Sequence, residues 1–126
     1  MRLRYSRGFW YALTAVYTLG ILLFSTMPGA DKISGHYSVA MENFKNFLHF
    51  PAYGGLAWLW LKTFNSVKPK TLALAFFIAA SWGIFNEFVQ AHTPNRYFSY
   101  EDMLVNALGA GLAIILAGKG VITVVE

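Results

Sequence analysis

The chain contains no cysteine among its 126 residues. Disulfides, thiolate metal ligands and cysteine nucleophiles are therefore excluded, while the redox compartment stays open. Soluble-enzyme signatures are also missing: there is no HExxH spacing, no serine elbow with a nearby histidine and acid, and no glycine-rich nucleotide loop. Only 13% of the residues are charged, whereas 56% are hydrophobic, and the mean hydropathy is +0.45. A soluble core of this size would not be so apolar, so the composition favours a membrane protein.

Four apolar stretches are each long enough to cross a bilayer, whose hydrocarbon core of about 30 Å needs roughly 20 helical residues. We predict an all-α, polytopic four-helix bundle with short loops, forming one transmembrane domain over residues 1–126. The predicted spans are residues 9–26, 47–64, 71–91 and 102–118. A polar loop is expected at residues 31–45, and Pro51 is expected in the first turn of the second span, where proline is tolerated.

The first apolar stretch follows three arginines, as the core of a signal peptide would. However, residues 8–30 carry no charge, are numerous enough to span a bilayer and are followed by no A-x-A-like cleavage site. We therefore expect this stretch to be a retained helix.

Positive charge is distributed unevenly among the predicted loops. Short cytoplasmic loops of membrane proteins carry the excess of lysine and arginine. Seven of the ten basic residues lie near the two termini or around the loop after the second span, which predicts that both termini are cytoplasmic. These seven are Arg2, Arg4, Arg7, Lys62, Lys68, Lys70 and Lys119. They punctuate apolar stretches and do not form a basic stripe interleaved with exposed aromatic rings, so no binding of nucleic acid is expected.

Polar and ionisable residues gather at the predicted outer end of three spans. Such residues are costly in a bilayer unless they face protein, water or headgroups. His49 and Tyr53 are four residues apart and share a face of the second helix. Asp102, Asn106 and Gly109 share a face of the fourth helix in the same way. This coincidence predicts a polar pocket at the outer end of the bundle.

The third span carries the sharpest pattern. Ala75, Ala79, Gly83 and Glu87 recur every four residues, so a stripe of small residues leads directly to a carboxylate. Small residues at this spacing mark the close approach of membrane helices, which predicts that Glu87 points into the bundle with Gln90 near the same face. A similar stripe on the fourth span makes these two helices expected partners. It consists of Asn106, Ala110, Ala113 and Ala117.

Arg96 lies in the short connection between the third and fourth spans. Its guanidinium group can pair with Glu87 or Asp102, or it can present its donors to an anionic ligand, and the sequence does not choose among these roles. A zinc site built from His49, His92, Glu87 and Asp102 is chemically allowed, but no recognisable ligand spacing supports it. We therefore predict neither a metal nor a cofactor.

Simpler roles exist for several of these side chains. Amide and phenol groups in membrane proteins often serve only as hydrogen bonds between helices, which is the alternative for each polar residue taken alone. Convergence of all of them at one end favours a functional site. The tryptophans are assigned mostly to interfacial belts and to lipid-facing surface. They are Trp10, Trp58, Trp60 and Trp82.

The ordered spacing of the polar residues resembles the signature of the VanZ-like family of membrane proteins. The matching pattern is Glu87-x-x-Gln90, then Arg96-x-x-Ser99-x-x-Asp102-x-x-x-Asn106-x-x-Gly109, preceded by His49-x-x-x-Tyr53 and by the segment 25–28 that closes the first span. Lys45 and Asn46 stand where family members often carry Asp and Lys. The resemblance implies a bacterial inner-membrane protein from a family without a settled biochemical activity. That family is named for a member associated with low-level resistance to the glycopeptide teicoplanin.

Two functions fit the predicted pocket. The first is binding or modulation of a lipid-linked or anionic envelope component, such as a membrane lipid, a cell-wall precursor or a lipoglycopeptide. Its expected binding residues are Tyr53, Gln90, Arg96, Ser99 and Asn106. The second is an intramembrane hydrolase or transferase with acid-base groups. Its expected catalytic residues are Glu87, Asp102 and His49. Transport fits less well, because a transport path would carry polar residues deeper into the membrane.

Overall fold

The computed structural model of the chain describes residues 5–25, 39–92 and 100–125. Those residues form four α-helices and contain no strand, which confirms the predicted all-α four-helix architecture. The helices are α1 (Arg7–Ser25), α2 (Val39–Phe64), α3 (Pro69–Ala91) and α4 (Tyr100–Gly118). Within the described ranges, α1, α3 and α4 are long and apolar enough to cross a membrane. The chain is a multi-pass membrane protein.

Helix α2 begins at Val39, so the prediction that residues 39–45 belong to a loop was wrong. Four of residues 39–46 are polar, but the segment contains neither proline nor glycine, and nothing in it breaks a helix. Pro51 consequently lies inside the helix and not in its first turn. Because proline has no N–H, residue 51 cannot donate the usual hydrogen bond to the carbonyl group of residue 47.

The turn between α2 and α3 explains why both helices end where they do. Asn65 has a φ of 53°, a left-handed conformation that asparagine tolerates at the C-terminal end of a helix. Lys68 is extended (ψ 149°), and Pro69 then opens α3 at a position where its fixed φ suits a helix and its missing N–H costs no hydrogen bond. The two helices are therefore joined by a short connection and lie side by side.

Helix α1 is attached to α2 by a pair of buried threonines. The hydroxyl groups of Thr14 and Thr63 are 2.8 Å apart, and that of Thr63 also donates to the carbonyl oxygen of Leu59 at 2.8 Å. Neither threonine is more than 2% exposed. These hydrogen bonds stabilise the two helices where few water molecules compete.

Trp10 is buried, so its assignment to the lipid-facing surface was wrong. The ammonium nitrogen of Lys62 lies 4.7 Å from the centre of the Trp10 ring and 5.9 Å from that of Trp58. The rings of Trp10 and Trp58 meet edge to face, with their centres 5.8 Å apart. Lys62 is itself buried, because the two indole faces attract its charge and its aliphatic stem packs between the helices.

The chain after α4 folds back onto the bundle. The indole N–H of Trp58 donates to the carbonyl oxygen of Thr123 at 3.0 Å. Val124 is only 2% exposed and packs in a cluster with Leu61 and Ala117. This segment covers the end of the bundle where α2 and α4 terminate, which is the end away from the predicted pocket.

The small-residue stripes of α3 and α4 face the interior, as predicted. All of their members are buried: Ala75, Ala79, Gly83 and Glu87 of α3, and Asn106, Ala110, Ala113 and Ala117 of α4. Helix α4 packs against both α2 and α3. Glu87 therefore points into the bundle.

The backbones of α2 and α4 approach each other closely at two glycines. A Cβ atom built on Gly109 would overlap the carbonyl oxygen of Phe50 and would lie 2.9 Å from the carbonyl carbon of that residue. A Cβ atom on Gly54 would lie 3.2 Å from the carbonyl oxygen of Gly109. Only residues without side chains permit this contact, which sets the position of Tyr53 relative to α4.

Candidate functional site

Three helices contribute buried polar side chains to one end of the bundle. The side chains come from the middle of α2, the C-terminal half of α3 and the N-terminal half of α4. We call these five residues the polar cluster, and none is more than 3% exposed. They are Tyr53 of α2, Asn86, Glu87 and Gln90 of α3, and Asn106 of α4. The cluster contains four residues predicted from the sequence, and Asn86 is the addition.

Gly83 lies at the centre of the polar cluster. A Cβ atom built there would lie 3.2 Å from the Nδ2 atom of Asn106 and 3.3 Å from the Cε1 atom of Tyr53. Side chains from α2 and α4 therefore meet over a position of α3 that has no side chain. Asn86 and Glu87 follow Gly83 by three and four residues, which places them on the same face one turn later.

Tyr53 is joined to α3 by a short hydrogen bond. The Nδ2 group of Asn86 donates to the hydroxyl oxygen of Tyr53 at 2.6 Å. The hydroxyl of Tyr53 also interacts electrostatically with Glu87. Asn86 was missed in the sequence prediction, although its position three residues after Gly83 on the buried face was an available signal.

Three atoms of the polar cluster have no hydrogen-bond partner in the part of the chain that the structure describes. They are the Oδ1 atom of Asn86 and both side-chain polar atoms of Asn106, and all three are buried. Buried polar atoms are normally hydrogen-bonded, because each unpaired one costs about 1–3 kcal/mol. Three such atoms together make the polar cluster a candidate site.

His49 lies at the edge of the polar cluster. Its ring is half-buried and stacks on the Tyr53 ring, with ring centres 6.4 Å apart and an angle of 23° between the planes. This contact confirms that the two residues share a face of α2. Neither His49 nor Glu87 is without an interaction partner.

A groove between α1 and α2 adjoins the polar cluster. Its volume is about 290 Å³, and its walls are mostly apolar. The lining residues are Tyr17, Gly20, Ile21, Phe24, Leu48, His49, Ala52 and Tyr53. The hydroxyl of Tyr17 donates to the carbonyl oxygen of Ala52 at 2.6 Å and joins the two walls. A Cβ atom on Gly20 would have no neighbour within 4 Å, so this position leaves space open in the groove.

The remaining predicted site residues lie in different places. Asp102 is half-buried in the first turn of α4, one helical turn before Asn106. His92 is exposed at the end of α3, with its Nδ1 atom 2.8 Å from the carbonyl oxygen of Phe88. Arg96 and Ser99 lie outside the described residues, so their predicted roles stay predictions. Among the described residues, no three His, Asp or Glu side chains are grouped so that they could hold a metal ion.

The family model of VanZ/LLP1 matches residues 3–122, which is nearly the whole chain. The chain belongs to the VanZ/LLP1 family. Neither a curated relative nor a similar solved structure was found. The matched range contains every residue of the polar cluster and both glycines at the contact between α2 and α4, so the family resemblance predicted from the motif spacing is confirmed.

In this VanZ/LLP1 protein, the described part of the site is rich in hydrogen-bond acceptors. The polar cluster supplies amide, phenol and carboxylate oxygens, while its donors are amide and hydroxyl groups. The cluster contains no lysine or arginine, and Arg96 is the basic residue that the sequence places nearest to it. The arrangement suits hydrogen bonding to a polar headgroup. Its two ionisable side chains other than Tyr53, the buried Glu87 and the neighbouring His49, are of the kinds that perform acid-base chemistry.

Proposed function

We propose that this VanZ/LLP1 protein acts in the bacterial inner membrane, where the polar end faces outward and binds or modulates a lipid-linked or anionic envelope component. The observation that carries the proposal is the position of Tyr53. Its ring lines the apolar groove, while its hydroxyl group belongs to the buried polar cluster. A groove and a polar cluster that share one residue suit an amphiphile, with its chain in the groove and its head at the cluster.

The dimensions of the groove support a chain as its occupant. Ligand sites measure about 300–1,000 Å³, so the groove, at about 290 Å³, is at the lower end of that range and suits a single apolar chain. Ile21, Phe24 and Leu48 supply apolar walls, and a chain from the bilayer packs against them through van der Waals contact. His49 and Tyr53 then set the position of the polar head.

This proposal extends to antibiotic susceptibility. Teicoplanin carries a fatty-acyl chain, and a protein that holds amphiphiles at the outer leaflet alters the access of such a drug to cell-wall precursors without destroying it. Arg96 would hold the phosphate or carboxylate group of a ligand, because its guanidinium group forms paired hydrogen bonds with such anions.

A Gly20→Leu variant tests the groove. The added side chain enters space that is open at its Cβ position, so we expect the fold to persist and the groove to be filled. In phosphatidylcholine nanodiscs containing a phosphatidylglycerol with a photoreactive acyl chain, cross-linking to α1 and α2 should fall by roughly tenfold, equivalent to about 1.4 kcal/mol. Mass spectrometry of the cross-linked peptides gives the yield.

The matched control is Leu19→Phe on the same helix. Leu19 is 56% exposed and does not line the groove, so added bulk there faces lipid. We expect its cross-linking to equal that of the wild type. Equal losses in both variants would show that the probe reports only the surrounding lipid, and an unchanged yield in Gly20→Leu would contradict the groove as the chain site.

A second candidate function is an intramembrane acid-base enzyme acting on a lipid-linked substrate. The observation that favours it is the arrangement around Tyr53, which interacts electrostatically with the buried Glu87 and stacks against His49. Catalytic carboxyl groups are typically buried beside such partners, because burial changes their affinity for protons. Water would serve as the nucleophile.

A Glu87→Gln variant separates the two functions, since it keeps the size and hydrogen-bonding ability of the side chain but removes its acid-base chemistry. If the protein binds and does not catalyse, envelope lipids and cell-wall precursors measured by mass spectrometry should be identical in cells with the wild type and the variant, and teicoplanin susceptibility should change only in cells without the protein. A lipid or precursor whose amount depends on Glu87 would favour the enzyme. Cells without the protein provide the reference for both measurements.

A further inference from the structure

The unpaired amide atoms of Asn86 and Asn106 indicate which part of a ligand the polar cluster recognises. The Oδ1 atoms of both residues and the Nδ2 atom of Asn106 are buried and have no partner within the described residues. At the opposite end of the bundle, the buried Thr14 and Thr63 hydroxyls are hydrogen-bonded. Among the described residues, one other buried side-chain atom lacks a partner, the Nε1 atom of Trp82, so three of the four such atoms belong to the cluster.

The chemistry of these atoms selects the occupant. Two are acceptors and one is a donor, so two hydroxyl groups are needed to satisfy them, because each hydroxyl carries a single hydrogen. A phosphate or carboxylate would face two carbonyl oxygens beside the buried Glu87, which disfavours an anion at this position. A cation would leave the Nδ2 atom of Asn106 unpaired. The atoms are fully enclosed, so the groups that pair with them must be small, as neighbouring hydroxyls of a glycerol or a sugar are.

We propose that Asn86 and Asn106 bind two neighbouring hydroxyl groups of the ligand head, so the ligand class is an amphiphile whose headgroup carries glycerol or sugar hydroxyls. This inference rests on the proposed function, in which the chain of that amphiphile lies in the groove. A hydroxyl group has two possible sources, the headgroup or water. The headgroup is the proposed source, because Tyr53 connects Asn86 directly to the groove in which the chain lies.

An Asn106→Leu variant distinguishes recognition from structural support by the sign of its effect on stability. Leucine is similar in size and removes both unpaired atoms, so without ligand the variant should unfold at a higher temperature than the wild type, by roughly 3 °C. A Thr63→Val variant is the matched control. It removes a hydroxyl group that is hydrogen-bonded, so it should unfold at a lower temperature while ligand binding is retained.

Binding is measured on the purified full chain in an amine-oxide detergent, whose headgroup has no hydroxyl. Dioleoyl phosphatidylglycerol and dioleoyl phosphatidic acid are added separately, since they share chains and negative charge but only the first carries glycerol hydroxyls. We expect phosphatidylglycerol to raise the unfolding temperature of the wild type more than phosphatidic acid does. In Asn106→Leu, its affinity should fall roughly tenfold, to that of phosphatidic acid, through loss of the hydroxyl contact.

Three results would overturn the inference. A lower unfolding temperature for ligand-free Asn106→Leu would show that its amide is structurally satisfied. Equal effects of the two lipids on the wild type would assign the amides to water, while leaving the proposed binding function intact. No effect of either lipid on the wild type, together with no cross-linking in the groove, would remove the proposed function as well. The comparison of lipids on the wild type holds even if a variant fails to fold.

Discussion

Replacing Gly109 with alanine is expected to destabilise the folded bundle by about 3 kcal/mol. The added Cβ atom would overlap the carbonyl oxygen of Phe50 and lie 2.9 Å from its carbonyl carbon and 3.1 Å from its Cα atom. All three are backbone atoms, so no side chain can rotate to make room and α2 must move away from α4. The higher helix propensity of alanine stabilises the fold by only about 1 kcal/mol, so the destabilising overlap dominates.

Unfolding of the purified protein by increasing amounts of a denaturing detergent, followed by circular dichroism, measures this effect. Gly111→Ala is the matched control on the same helix, because its Cβ atom would meet only the Phe76 ring at an ordinary distance of 3.6 Å. Gly54→Ala should be intermediate, since its Cβ atom would lie 3.2 Å from the carbonyl oxygen of Gly109. A Gly109→Ala protein as stable as Gly111→Ala would contradict the close contact between α2 and α4.

The same substitution should affect the candidate site. Tyr53 is carried by α2 and Asn106 by α4, and both lie over Gly83 of α3. Displacement of α2 from α4 would separate the two side chains and disturb the end of the groove that Tyr53 lines. We therefore expect the Gly109→Ala protein that remains folded to bind the photoreactive lipid less than Gly111→Ala does.

A Tyr53→Phe variant is expected to lose about 1–3 kcal/mol of stability, although it removes a single oxygen atom. The hydroxyl group of Tyr53 accepts the 2.6 Å hydrogen bond from Asn86, whose Oδ1 atom already lacks a partner among the described residues. Without that hydroxyl, the whole amide group of Asn86 would be buried and unpaired. The cost therefore comes from the group left behind and not from the group removed.

A double variant tests this explanation. Tyr53→Phe combined with Asn86→Leu removes both partners, so the double variant should be close to the wild type in stability and more stable than Tyr53→Phe alone. The same unfolding measurement on the wild type, the two single variants and the double variant gives the coupling energy. Additive losses would mean that the two side chains do not depend on each other. A double variant that is as stable as the wild type but does not bind lipid would show that Tyr53 and Asn86 are needed for binding and not for folding.

Much of the fold follows from periodicity along the chain. The four-residue recurrence of Ala75, Ala79, Gly83 and Glu87 lies on one face of any helix, so their common burial was predictable before any partner was known. The pairing of His49 with Tyr53 was predictable for the same reason. The start of α2 is not predictable in this way. Polar residues in the segment 39–46 resemble those of a loop, but the segment contains neither proline nor glycine and is helical in the structure.

Contacts between helices were harder to predict. The spacing along α3 places Asn86 on the buried face, but it does not identify the residue that Asn86 contacts. That residue, Tyr53, lies on α2. The contact between Lys62 and Trp10 is not predictable from residue type, because the two side chains lie on different helices, α2 and α1, where they meet and are both buried. Residue type determines how unfavourable it is to leave a side chain in lipid. Whether the side chain is buried instead depends on the contacts that a neighbouring helix offers it.

The sequence alone therefore determines the membrane setting, the four helices, the burial of Glu87 and the family. Hydrophobicity and helical period are properties of a single segment, so no knowledge of its neighbours is needed. The contact of Gly109 with Phe50, the hydrogen bond of Tyr53 and the unpaired amides of the polar cluster depend on how helices distant in sequence are placed together. Such placement is determined by the packing of all the helices at once, and this packing brings the polar residues of three helices together into a candidate site with a groove beside it.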